Sequence, residues 1–79
     1  MSRPIAVIAD EIVNEWKNVN YAAKPYLVAM FSLNSINDNY YQDSGSSIVA
    51  YFLGNANSFR GDKARALKAE LNAILKEAA

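Results

Sequence analysis

Apolar residues recur at intervals of three or four along both ends of the chain, and this spacing is typical of amphipathic helices. In the first segment the apolar positions are Ile5, Ile8, Ile12, Trp16 and Val19. In the last segment they are Ala64, Leu67, Leu71, Ile74, Leu75 and Ala78. Most charged residues lie off these stripes. The pattern predicts a first helix over about 3–18, capped by Ser2, and a last helix over about 59–77, capped by Ser58.

Two more apolar runs, "YLVAMFSL" and "IVAYFL", lie between these helices. Their composition favours helices over about 22–35 and 46–55, and Pro25 is acceptable in a first helical turn. Because a helix that is apolar nearly all round is typical of a protein's centre, we expect both to be inner helices. The sequence therefore predicts an all-α, compact four-helix domain over 1–79. A buried hairpin formed by 26–33 and 48–53 is the alternative, since periodicity alone does not separate these cases.

The chain of 79 residues contains neither cysteine nor histidine. These absences remove thiolate and imidazole groups, which are common nucleophiles, general bases and metal ligands. The sequence also lacks a phosphate-binding loop with its lysine. We therefore predict a non-enzymatic protein with no catalytic residues, no metal and no cofactor.

The N-terminal segment contains Asp10 and Glu11, which come too early for a secretion signal. No apolar run approaches the roughly 20 residues that span a bilayer. We expect a cytoplasmic protein without a membrane partner.

The segment 37–47, "NDNYYQDSGSS", is rich in turn-forming residues but carries two adjacent tyrosines. Tyrosine is enriched in protein interfaces because its rigid ring gives contact area and its hydroxyl forms hydrogen bonds. We therefore predict a partner-binding surface here, formed by Asn37, Asp38, Tyr40, Tyr41 and Asp43. The alternative is that both tyrosines cover the core with their hydroxyls outward.

Arg60 and Gly61 are unfavourable residues for the first turn of the predicted last helix. A cation there opposes the helix dipole, and glycine weakens a helix. We expect Arg60 to pair with Asp38 or Asp43, and so to join the predicted surface or to clamp the loop.

A basic edge runs along the last helix, formed by Arg65, Lys68 and Lys76. It gives an alternative function, nucleic-acid binding along phosphates. The formal net charge of zero argues against it, because nucleic-acid binders usually have a strong basic excess. The simpler interpretation of this basic edge is an ordinary solvent-exposed face of the helix. A homo-oligomer formed through the first or last helix is a third possibility.

Three stretches, "WKNVNYAAKPYLVAM", "SLNSINDNYYQDSGSSIVAYFL" and "NANSFRGDKARALKAEL", resemble a group of small uncharacterised helical proteins encoded by bacteriophages and mobile elements. The resemblance covers about 16–71 and includes no enzymatic motif. The shared-looking residues are Asn37, Asp38, Tyr40, Asp43, Ser44, Gly45, Arg60 and Gly61.

Small proteins of that setting often bind and block a host protein, including CRISPR and other defence machinery. The resemblance therefore implies an accessory protein that acts in the cytoplasm of a bacterial host. It implies binding, and possible inhibition, of a host protein through the 37–47 loop and the start of the last helix.

Overall fold

Four helices and one short hairpin make up the computed structural model, which describes residues 3–78. The helices are α1 (Ile5–Glu15), α2 (Lys24–Met30), α3 (Gly45–Gly54) and α4 (Asp62–Ala78). Strands β1 (Asn39–Tyr40) and β2 (Asp43–Ser44) lie between α2 and α3 and pair antiparallel. The fold is thus mostly helical with four helices, but the all-α prediction was wrong in this hairpin.

The first helix buries the predicted stripe, with Ile5, Ile8 and Ile12 inside. It is shorter than the predicted 3–18, because Trp16 leaves the helix with an extended backbone and stays buried just beyond its end. The predicted cap Ser2 lies outside the described residues. Two of the first main-chain N–H groups instead bond the carbonyls of residues 33 and 34, at 2.8 and 3.2 Å.

The two middle apolar runs are helices and not strands. Pro25 lies in the first turn of α2, as expected. This helix ends well before the predicted residue 35, because the chain tightens into three successive i to i+3 hydrogen bonds at residues 31–33. Nor is α2 central on all sides, since the side chain of Val28 is 57% exposed.

The third helix begins with a side-chain cap at Ser44. The hydroxyl of Ser44 accepts a hydrogen bond from the N–H of Ser47 at 3.2 Å and also bonds the Ser47 hydroxyl at 2.9 Å. Ile48, Val49 and Phe52 lie in the core.

The last helix begins three residues later than predicted, at Asp62, so Ser58 is not its N-cap. Gly61 has a φ of +114°, a left-handed conformation that is incompatible with an α-helix. The helix therefore cannot include Gly61 or the residues before it. The aromatic ring of Phe59 stacks on that of Trp16 with 5.0 Å between centroids, and Trp16 meets Phe52 edge-on at 6.1 Å. This aromatic cluster anchors the connection between α3 and α4 in the core.

The guanidinium of Arg3 ties the two amphipathic helices together. It bonds Glu11 on α1 and Glu70 on α4, with Nη2 of Arg3 2.6 Å from Oε1 of Glu70. These hydrogen bonds lower the pKa of Glu70, opposed by its partial burial.

Candidate binding surfaces

The hairpin turns through two residues, Tyr41 and Gln42, between the paired positions Tyr40 and Asp43. Tyr41 has a φ of +56°, and glycine is the usual residue at such a turn position. Tyr41 is 88% exposed, whereas Tyr40 is half-buried against the core. The two rings meet edge-on with 4.7 Å between centroids. The hairpin thus holds one tyrosine inward and one outward.

Asp38 holds the segment that leads into the hairpin. Its Oδ2 accepts the N–H groups of Asn34 at 2.9 Å and Ser35 at 3.1 Å. Its main-chain oxygen accepts the N–H of Gly45 at 2.7 Å. A Cβ at position 45 would lie 2.8 Å from that oxygen and from the oxygen of Ile36. Asp38 is therefore a structural residue, and the predicted pairing with Arg60 is wrong.

The remaining predicted loop residues lie on different faces. The main-chain N–H of Asn37 donates to the Ser35 hydroxyl at 3.1 Å. Asn37 lines a cleft of about 280 Å³ together with Arg3 and residues of α4, away from the tyrosines. Asp43 is exposed beside Tyr40 and forms no ion pair with Arg60.

The inward tyrosine of the hairpin lies beside an apolar face of α2. A shallow groove of about 560 Å³ lies there, lined by Tyr21, Lys24, Pro25, Val28 and Tyr40. Tyr21 is 91% exposed. We call the surface formed by Tyr21, Pro25, Val28, Tyr40 and Tyr41 the aromatic face.

The α2 part of this face was not predicted from the sequence. Tyr21, Pro25 and Val28 follow one another at steps of four and three, the spacing of a second apolar stripe. Leu27 and Met30 form the buried side of the same helix. The signal was present in the nearly unbroken apolar run, but it was interpreted as evidence of a central helix.

Arg60 lies at a different place, the start of α4. Its Nε donates to the carbonyl of Asn57 at 3.2 Å. It lines a groove of about 480 Å³ with Gly61, Arg65 and Lys68. The structure thus brings Arg60 together with two residues of the predicted basic edge, and we call this the basic groove. Lys76 is exposed further along α4 and is not part of it.

Lys68 packs along the rim of the core inside this groove. Its Nζ lies 5.7 Å from the centroid of the Phe59 ring, within the range of a cation–π contact. Partial burial, and secondly the charge of Arg60, lower the pKa of Lys68. Arg65 has Asp62 as an ion-pair partner at 3.9 Å, with both side chains exposed.

Residues 3–78 were also compared with the requirements of a metal site and of a membrane-spanning helix. No three acidic side chains cluster there as a metal site would need. None of the helices in this range is long and apolar enough to cross a membrane. In comparisons with known proteins, no family model, no curated protein and no solved structure matches the chain.

Proposed function

We propose that this protein is a non-enzymatic binding domain that docks on another protein through the aromatic face. One observation carries the proposal: Tyr41 has a left-handed backbone at the tip of the hairpin, yet the residue is 88% exposed.

A left-handed conformation costs a non-glycine residue roughly 1–2 kcal/mol. Burial of the side chain could offset such a cost, but Tyr41 is 88% exposed, and its ring meets that of Tyr40 edge-on. Glycine or asparagine would satisfy the turn better. Since folding gains little from this tyrosine, a role outside folding explains it better, and strained residues of this kind cluster at functional sites.

The chemistry of the face favours a protein partner. Exposed tyrosines combine rigid apolar area with a hydroxyl, the properties of residues that dominate binding energy. The partner would offer an apolar pocket for the Tyr41 ring, an acceptor for its hydroxyl, and a carboxylate or carbonyl toward Lys24. The resemblance to proteins encoded by bacteriophages makes a bacterial host protein, including the CRISPR and other defence machinery, the first class to test.

The test compares three tagged proteins: the wild type, Tyr41→Gly and Tyr51→Ala. Tyr51 is a matched control, because it is an exposed tyrosine on α3 whose ring packs on that of Tyr26, outside the aromatic face. Each is incubated with nuclease-treated bacterial lysate, and the retained proteins are quantified by mass spectrometry. The candidate partner is then purified and titrated by calorimetry.

We expect the wild type and Tyr51→Ala to retain the same protein, and Tyr41→Gly to bind it at least about tenfold more weakly, as loss of a hot-spot residue implies. Tyr41→Gly should keep the wild-type melting temperature within a few degrees, because glycine fits the left-handed turn. Equal binding by all three proteins would contradict the proposal. A concentration-dependent mass in light scattering that Tyr41→Gly abolishes would instead make the partner a second copy of this chain.

A further inference from the structure

The basic groove at the start of α4 shares no lining residue with the aromatic face. It is concave, about 480 Å³ in volume, and three cationic side chains line it: those of Arg60, Arg65 and Lys68. Seven residues separate Arg60 from Lys68 in sequence, and the turn at Gly61 brings the arginine back beside the helix.

The positive charge of the groove is poorly neutralised by the protein itself. Across residues 3–78, neither Arg60 nor Lys68 has a carboxylate within ion-pair distance. Arg65 pairs only with the fully exposed Asp62, at 3.9 Å, and such a pair contributes little. The like charges of Arg60 and Lys68 repel each other, and after burial the charge of Arg60 is the second cause that lowers the pKa of Lys68. A bound anion would relieve this repulsion.

The groove is also held in shape. The Nε of Arg60 is fixed by the carbonyl of Asn57, which leaves the other guanidinium nitrogens for a ligand. The Lys68 side chain lies against the Phe59 ring, which is itself stacked in the core. Gly61 has no heavy atom within 4 Å of the position where a Cβ would lie, so a ligand can approach the main chain there.

We propose that the basic groove binds a phosphate group, either free phosphate or the phosphate of a small phosphomonoester. Two guanidinium groups and one ammonium group match a tetrahedral dianion, because each guanidinium offers parallel N–H donors to two oxygens. A carboxylate has only two oxygens, so one guanidinium group would be enough to bind it.

A small phosphorylated ligand fits better than a nucleic acid. The cationic cluster is confined to one turn region, and Lys76 does not extend it. The formal net charge is zero, so long-range attraction of a polyanion is weak. Phe59 lines the groove but is only 3% exposed, so it offers almost no ring surface on which a base could stack.

The experiment follows main-chain amide signals by ¹H–¹⁵N NMR during titration with inorganic phosphate, with glycerol phosphate, with acetate, and with a short single-stranded oligonucleotide at low salt. The variants are Arg60→Gln, Lys68→Gln and, as control, Lys63→Gln. Lys63 is an exposed lysine in the first turn of α4 that does not line the groove.

We expect phosphate and glycerol phosphate to shift the signals of residues 60–65 saturably, and acetate to do so much more weakly. Arg60→Gln and Lys68→Gln should each weaken phosphate binding at least about tenfold, the effect of losing a hydrogen bond to a charged group. Lys63→Gln should leave it unchanged. Unshifted signals at phosphate concentrations up to tens of millimolar would overturn the proposal. So would equal weakening by Lys63→Gln, or oligonucleotide binding that is tighter than phosphate binding and falls steeply with salt.

Discussion

The N–H of Gly45 donates a 2.7 Å hydrogen bond to the main-chain oxygen of Asp38, and this contact leaves no room for a side chain at position 45. It joins the first turn of α3 to the segment before the hairpin. Because Tyr40 and Tyr41 lie between these two residues, the bond closes the loop that carries both tyrosines.

Gly45→Ala should therefore destabilise the protein. The added Cβ would lie 2.8 Å from two main-chain oxygens, which cannot move aside as a flexible side chain would. We expect a loss of about 1–3 kcal/mol in the free energy of unfolding, measured by urea titration.

Gly54→Ala is the matched control for that substitution. No heavy atom lies within 4 Å of the Cβ position at Gly54, which is also helical. Alanine there should leave stability unchanged or raise it by up to about 1 kcal/mol. If both substitutions changed stability equally, the two nearby main-chain oxygens would not be the reason that position 45 requires glycine.

Asp38→Ala should loosen the hairpin without unfolding the helices. It removes the acceptor of the N–H groups of Asn34 and Ser35, and a lost cap of this kind costs roughly 0.5–2 kcal/mol. Amide exchange should accelerate at residues 34–45, while α4 keeps its protection. Unchanged exchange in that range would contradict the role assigned to the carboxylate.

Phe59→Ala should be among the most destabilising substitutions. It leaves a cavity against Trp16, and truncation of a buried phenylalanine costs about 3–5 kcal/mol. The fluorescence of Trp16 should change as water reaches the ring. Tyr21→Ala is the comparison, because it removes an exposed aromatic ring and should alter stability by no more than about 0.5 kcal/mol. A similar loss in both variants would place Tyr21 in the core.

Glu70→Gln should lower the melting temperature near neutral pH but not in strong acid. The hydrogen bonds from Arg3 hold the pKa of Glu70 below its ordinary value. The carboxylate therefore adds stability at pH values above its unfolded pKa, and this contribution is lost as the pH falls through the lower, folded pKa. Melting curves of wild type and variant should converge on acidification. Glu15→Gln, at an exposed position of α1, should show no such convergence. A gap that stays constant with pH would contradict the proposed pairing.

The helices were predictable where their apolar spacing was regular, as the buried positions Ile8 and Leu71 show. Their ends were not, because distant contacts decide them. Trp16 leaves α1 early to stack on Phe59, and Gly61 delays α4 through a left-handed backbone that no periodicity reveals.

The candidate surfaces were only partly predictable, for the same reason. The outward direction of Tyr41 depends on a hairpin whose strands are two residues long, too short to show alternation. Arg60 was expected beside Asp38 or Asp43, but the delayed start of α4 places it beside Lys68. Charge alone does not select between two possible neighbours when the turn that positions the arginine is unknown.

The first helix obtains two of its hydrogen-bond acceptors from chain nearly thirty residues further on, since the N–H groups of Ile5 and Ala6 bond the carbonyls of Asn34 and Leu33. Its N-terminal turn therefore belongs to the same cooperative folding unit as the segment that Asp38 organises. A fragment ending before residue 33 would leave this turn frayed. In the intact protein, a ligand that tightens the hairpin would also slow solvent exchange in the first turn of α1, more than thirty residues away in sequence.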